Sequence, residues 1–260
     1  MTEKERQTLE RNMASIIKLA MDMGVFVEVG SDFQTFVDVC RNTEGKSEVS
    51  PAFNPNQTDI DESTGIWMVA RDANDRVVYA QAVKLLPLRG RTLEHYLDTQ
   101  LGDIRIGGLN VDVENSTIAM SNTVSRVAGK VTYHGEVWMH GDLRGGSLTI
   151  ILSRLILIMA YMRWTPDFMI GIQAFKVCCR GLGVRQGYTR NQPGFVNWMI
   201  EGKPEPIAGW LVWMTGEEAS YSLAVPPQEF VDVFEQPNKA AQGQPPVPHE
   251  EPVPQERKSA

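Results

Sequence analysis

Val137-Trp138-Met139-His140-Gly141-Asp142-Leu143-Arg144-Gly145-Gly146-Ser147-Leu148-Thr149 reads as a strand that runs through a glycine-rich turn straight into a helix. Val131 to His140 alternates as a strand does, and Gly141 to Gly146 breaks it. From Ser147 the chain is apolar almost all round as far as Met162, interrupted by Ser153 and Arg154. A run of about 15 residues falls short of the roughly 20 that span a bilayer, so it reads as a helix sandwiched between a sheet and other elements. Such a junction binds anions. The first helical amides have no intrahelical partner, the helix dipole favours negative charge, glycines let a phosphate approach, and Arg144 adds a forked donor. The plainer reading is a tight turn with Ser147 as the helix N-cap. No Gly-Lys-Ser/Thr follows and Gly-x-Gly-x-x-Gly is absent, so neither a Walker loop nor a dinucleotide fingerprint is present.

Outward from this junction the chain alternates strand and helix signals, which predicts an α/β domain. Met13 to Met23 reads as an amphipathic helix. Val25 to Val29 is a β-branched run closed by Gly30, after which Ser31 is expected to cap a helix carrying Phe33, Phe36, Val37 and Cys40. A polar loop covers Asn42 to Thr64. Ile66 to Arg71 and Arg76 to Leu86 are strands of a hairpin turning at Asp72-Ala73-Asn74-Asp75. Within residues 88–130, Thr92 to Leu101 reads as a helix, and Ile104 to Gly108 with Val111 to Val113 as a strand with a glycine bulge. Beyond the apolar helix, which Pro166 ends, come a strand at Phe168 to Ile172, a short helix at Gln173 to Gly181, and strands at Phe195 to Glu201 and Gly209 to Thr215. From Pro226 onward prolines gather and large apolar residues run out after Phe234, so residues 226–260 are expected to be a disordered, acidic tail behind one domain of residues 1–225.

Composition narrows the function. Of 260 residues 42% are apolar, and 25 Lys and Arg stand against 32 Asp and Glu, a net charge of −7. An acidic chain without a basic block lacks the electrostatic footprint of a nucleic-acid binder, so no nucleic-acid partner is expected. Cys40, Cys178 and Cys179 fit neither a disulfide framework nor a zinc site, so no metal is expected and a reducing, cytoplasmic home is the reading. Met1 to Arg11 is charged with both signs, unlike a signal peptide, and no membrane partner is expected.

The junction resembles that of the GNAT superfamily of acyl-CoA-dependent N-acyltransferases. There a strand ending in an apolar-aromatic-apolar triplet leads to Arg-Gly-x-Gly-Leu at the head of a helix, whose amides hold the pyrophosphate of coenzyme A. Val137-Trp138-Met139 looks like the triplet and Arg144-Gly145-Gly146-Ser147-Leu148 like the loop, with Ser147 where the family has its second glycine. The element order from Val25 to Thr215 is also similar. The resemblance implies a mixed central sheet flanked by helices, with an N-terminal helix and residues 88–130 inserted before the coenzyme-binding strand. It implies acetyl-CoA or another acyl-CoA as co-substrate, held by Val137, Met139, Arg144, Gly145, Gly146, Ser147, Leu148 and Thr149. A small-molecule or protein amine is the implied acceptor, and a homodimer is allowed for.

Amide formation from a thioester needs a base for the amine, a donor for the carbonyl and a proton for the leaving sulfur. On a regular strand His134, Glu136, Trp138 and His140 share one face, and Val137 and Met139 the other. Glu136 and His140 are the candidate bases; their plainer readings are a cross-strand surface partner and a loop-end hydrogen bond. Family members tend to carry a tyrosine four residues before a Gly-aromatic pair. Gly183-Val184 puts Cys179 at that place, whereas Gly187-Tyr188 offers the only nearby tyrosine, so Tyr188 is the candidate proton donor. Cys178 and Cys179 read as small apolar residues. The hairpin ending Val83-Lys84-Leu85-Leu86-Pro87 is also similar to that of acyl-homoserine-lactone synthases, with Lys84 in place of an arginine, and this is the alternative within the fold. A third reading keeps the fold as a non-catalytic acyl-CoA-binding or regulatory module.

Overall fold

In the computed structural model, which describes residues 1–122 and 124–235, the chain forms α1 (Glu3–Asp22), β1 (Val25–Gly30), α2 (Phe33–Arg41), β2 (Gly65–Asp72), β3 (Val77–Leu85), α3 (Leu93–Gln100), β4 (Val111–Ile118) and β5 (Val131–Met139). It continues with α4 (Leu148–Trp164), β6 (Phe168–Ala174), α5 (Phe175–Cys178), α6 (Leu182–Gln186), β7 (Arg190–Ile200), β8 (Ile207–Thr215), α7 (Gly216–Ala224) and α8 (Pro227–Glu235). The eight strands make one sheet in the order β1-β2-β3-β5-β6-β8-β7-β4. All neighbours are antiparallel except β5 and β6. A parallel pair needs a crossover, and α4 supplies it. The mixed sheet flanked by helices is thus the architecture expected from the sequence.

Each face of the sheet carries its own core. On one, α4 packs with α1, α7 and α8, and Leu9, Ile16 and Ala20 of α1 are buried there. Thirteen of the seventeen α4 residues are buried, as its all-round apolar sequence predicts. On the other face, α2, the Pro51–Phe53 turn and the 88–130 segment close over the strands, and stacked rings run from Phe33 through Phe53 to Tyr133. Local chemistry sets the ends. Thr2 and Glu5 form a reciprocal capping box on α1. The Asp72 carboxylate accepts the amides of Asn74 and Arg76 and so closes the β2–β3 turn.

Several expectations are corrected. The cap of α2 is Asp32, whose carboxylate accepts the Gln34 amide at 3.0 Å, and not Ser31. Ile104 to Gly108 is no strand, because the chain there lies against the backbone of residues 48–50, so close that a Cβ on Gly107 would stand 2.2 Å from the Glu48 carbonyl oxygen. The strand begins at Val111 and runs to Ile118 on the sheet edge beside β7. Gln173 to Gly181 is not one helix: β6 continues to Ala174, and Gly181, at φ 74°, separates α5 from α6. The tail read from Pro226 includes a helix, since α8 packs on α1 and α4, Val231 is buried, and the Phe230 ring lies 4.2 Å from the Arg154 guanidinium. Phe230 and Val231 give this segment the apolar face that its prolines obscure. Residues 236–260 lie outside the described residues. No described helix is long and apolar enough to cross a membrane.

Truncation after Glu235 is expected to leave the melting transition in place. Truncation after Val225 also removes the side chain of Val231, worth about 1.5–3 kcal/mol of burial, and uncovers Arg154. Thermal melts followed by circular dichroism should show the second variant, and not the first, shifted to lower temperature.

Candidate functional site

Strand β5 stays with β3 as far as Met139, while β6 stays with β8 as far as Ala174. The two pair with each other only from Val131 beside Phe168 to His134 beside Gly171. Past that point they part, and among the described residues the edge of β5 from Gly135 to Met139 has no strand partner on the β6 side. A cavity of about 320 Å³ fills the fork. Its walls are Tyr133 to Trp138 and Gly171 to Ala174, and Lys46, Tyr188 and Gln186 reach into it from neighbouring segments.

A β-bulge reorganises β5 at the mouth of the fork. Ala82 is opposite Gly135 and Ala80 opposite Trp138, so Gln81 faces two residues, Glu136 and Val137. Glu136 takes φ 59°, a left-handed conformation that costs a non-glycine residue on the order of 1–3 kcal/mol. The bulge exchanges the faces. His134 points to the α4 side, with Val137 and Met139 beyond it, whereas Glu136 and Trp138 point to the α2 side. The single face expected for His134, Glu136, Trp138 and His140 is therefore split, because period-two alternation does not survive an extra residue. The Glu136 carboxylate is held twice, by Lys46 Nζ at 2.6 Å on Oε2 and by the Ser50 amide at 2.9 Å on Oε1. Both partners of the ion pair are buried, with side chains 3% and 7% exposed. Glu136 lines the cavity but is no cross-strand surface residue.

At the far end of β5 the loop folds back on the strand: Arg144 Nε donates to the Met139 carbonyl at 2.9 Å. Gly145, at φ 94°, makes a turn that only glycine adopts without strain. A Cβ built on Gly141, Gly145 or Gly146 meets nothing within 4 Å, so the loop is open at these three positions. Ser147 stands at the N-cap, buried, and makes no side-chain capping bond. Leu148 is buried against the sheet, and the Thr149 hydroxyl lies 3.0 Å from the Met139 sulfur. His140 is elsewhere. Its Nδ1 accepts the Asp142 amide, its ring meets Trp138 edge-on, and it does not line the cavity, so its loop-end reading is the one realised. His140 thus parts company with Glu136 and Tyr188, which share the cavity.

Tyr188 sits where the strands part, with its hydroxyl 3.1 Å from His134 Nδ1. Burial raises its pKa well above that of a free phenol and keeps it protonated. Behind it lies a polar network that sequence reasoning missed. His134 Nε2 is 3.0 Å from Gln81 Oε1, Tyr79 donates to the same oxygen, and Gln81 Nε2 donates to the Leu152 carbonyl at 2.7 Å. Ser153 joins Tyr79 to Gln186, and Gln186 accepts from Gln173 at the cavity wall. Because the Leu152 carbonyl fixes which end of the Gln81 amide is oxygen, His134 Nε2 carries the hydrogen. Desolvation lowers the His134 pKa to about 3, so its ring is neutral and Nδ1 accepts the Tyr188 hydrogen. The signal that could have found this network is a run of polar side chains, Gln81, Ser153 and Gln186, within otherwise apolar segments.

Cys40 is buried, Cys178 half-buried and Cys179 exposed, all three free thiols. Among the described residues no cluster of His, Cys, Asp and Glu is suited to a metal ion.

No protein-family model matches the chain, and no curated protein does. Among solved structures it is similar to Arabidopsis thaliana NAA60 in complex with acetyl-CoA, at 12% identity and a TM-score of 0.44, over 74% of this chain and 98% of that one. A mutant of the spermidine N-acetyltransferase SpeG from Vibrio cholerae is similar at 8% identity and 0.42, over 76% and 96%. TofI, in a ternary complex with an inhibitor and MTA, is similar at 12% and 0.40, over 78% and 98%.

The state of His134 can be tested through stability. An unfolded histidine takes up a proton near pH 6.5, whereas the folded ring resists until about pH 3, so stability should fall as pH drops through that window. Urea denaturation at pH 7 and pH 5 should show this loss in the parent chain and a smaller loss in His134→Gln, which has no imidazole to protonate on unfolding.

Proposed function

We propose that the chain binds an acyl-CoA across the β5–β6 fork and transfers the acyl group, acetyl in the first place, to the nitrogen of a primary amine on a small molecule or protein. The observation that carries this reading is the fork itself: a strand edge without a partner, beside a cavity, at the end of a strand that leads directly into an open glycine loop and an uncapped helix head. An extended pantetheine arm is the kind of ligand that satisfies such an edge, as an added strand would. In this arrangement the diphosphate lies over Arg144 to Thr149, and the arm runs along Val137 and Met139. The thioester reaches the floor of the fork, where backbone donors of β5 polarise its carbonyl. Glu136 takes the proton of the acceptor amine. The departing sulfur takes a proton from Tyr188, whose hydroxyl turns from His134 towards it.

A non-catalytic binder remains the second reading, and one observation favours it: both Glu136 oxygens already have partners within the chain.

Coenzyme A and acetyl-CoA are expected to raise the melting temperature by mass action. Thiol release on adding amines separates enzyme from binder. Arg144 is exposed, and among the described residues its hydrogen bond goes to the Met139 carbonyl at the end of β5. Arg144→Ala should therefore weaken coenzyme binding by about 1–3 kcal/mol, the range of a charge-assisted hydrogen bond, with the melting temperature of the unliganded chain unchanged. An unchanged melting temperature at millimolar acetyl-CoA, with the parent chain folded, would overturn the proposal.

A further inference from the structure

Three charged residues of the cavity wall, Lys46, Glu48 and Arg105, have no part in the scheme above, and of these Lys46 is the one paired with Glu136. Lys46 belongs to the segment between α2 and the Pro51–Phe53 turn, which is fastened over the bulge on both sides of Lys46: the Trp138 indole donates to the Gly45 carbonyl at 3.0 Å, and the Ser50 amide to Glu136. Its ammonium lies 2.6 Å from Glu136 Oε2, donates also to the Ser47 carbonyl at 3.2 Å, and is almost wholly withdrawn from solvent. Lys46 lines the same cavity as Glu136 and Tyr188. Acyl transfer to nitrogen requires an amine with a base in hydrogen-bond reach and an acid for the leaving sulfur in the same cavity. Lys46, Glu136 and Tyr188 are those three groups, and the amine–base contact is already made.

Resting on the co-substrate reading above, we propose that Lys46 is itself an acceptor, so that the chain acylates its own Lys46 from acyl-CoA in the fork. The Lys46 ammonium gives one proton to Glu136 Oε2, and the neutral nitrogen attacks the thioester carbonyl carbon. The carbon–sulfur bond breaks as the carbon–nitrogen bond forms, and the sulfur takes the Tyr188 proton to leave as the free thiol of coenzyme A. The second nitrogen proton returns to the Tyr188 oxygen, and the proton on Glu136 passes to solvent. The product is an amide, which is neutral. It ends the ion pair and frees Glu136 Oε2 to receive the amine of an external acceptor, which resolves the conflict between a base and a carboxylate already occupied.

The full-length protein incubated with acetyl-CoA and analysed by peptide mass spectrometry tests this. Direct chemical acetylation favours exposed lysines such as Lys18, whose side chain is 74% exposed. The expected result is the reverse: Lys46 acetylated faster than Lys18, at a rate independent of protein concentration, with that preference lost in urea. Glu136→Gln should slow the reaction by about a hundredfold or more, the loss of a general base. Lys46→Arg, which keeps a cation beside Glu136, should still be stabilised by coenzyme A and should show no modification at position 46. If coenzyme A raises the melting temperature but Lys46 stays unmodified, or is modified no faster than Lys18, self-acylation is overturned while the co-substrate reading stands. If coenzyme A has no effect on melting, the co-substrate reading falls and self-acylation with it.

Discussion

The pairing of β5 is the constraint on which the rest depends. A strand in the middle of a sheet ordinarily satisfies its backbone on both sides, and β5 does so towards β3 while abandoning β6 after His134. The extra residue at Glu136 and Val137 is where the bend is made, since a bulge adds local twist to the strand that carries it. Without that bend the parallel pair could continue, the fork would close, and Tyr188 would stand against a complete sheet. An opening in the middle of a sheet also avoids the exposed outer edge that invites aggregation, because Lys46 to Ser50, Ile104 to Gly107, and Leu182 and Gln186 of α6 wall it.

Holding a non-glycine residue in a left-handed conformation requires compensation, and the 42–50 segment supplies it. Burying an ion pair is not in itself stabilising, because desolvation of both charges offsets their attraction unless further hydrogen bonds complete the shell. Here the Ser50 amide and the Ser47 carbonyl complete it for Glu136 and Lys46 respectively. The result specifies geometry more than it adds stability: the loop after α2 can settle only where the bulge offers its carboxylate.

Much of this fold is legible in the sequence. The strand–loop–helix junction announces itself because alternation gives way to glycines and then to an all-round apolar run, and the β2–β3 hairpin because Asp and Asn cluster between two apolar runs. The bulge is not legible, since nothing in Gly135-Glu136-Val137 breaks the alternation that assigns faces. The Lys46–Glu136 pair joins residues 90 apart, and only the folded chain shows that they meet. Tyr188 is visible as a tyrosine near the right place, but its role depends on His134, Gln81 and Leu152, which no local pattern connects. The strand at Val111–Ile118 is legible only as far as Val113, because the rest is polar for an edge strand, and helix α8 is hidden because it lies among prolines.

Helix α4 bears on the surroundings of the fork at two places, without lining its cavity. Its first turn sits at the end of the glycine loop, and one turn further along the Leu152 carbonyl fixes the orientation of Gln81, while Ser153 binds Tyr79 and Gln186. From Gln81 the direction of every hydrogen follows through His134 to the Tyr188 hydroxyl. A regular helix has no soft joint between its first and second turns. The open loop at one end of the fork and the aimed hydroxyl at the other are therefore surveyed from a single rigid ruler, and any displacement of α4 along the sheet carries both reference points with it.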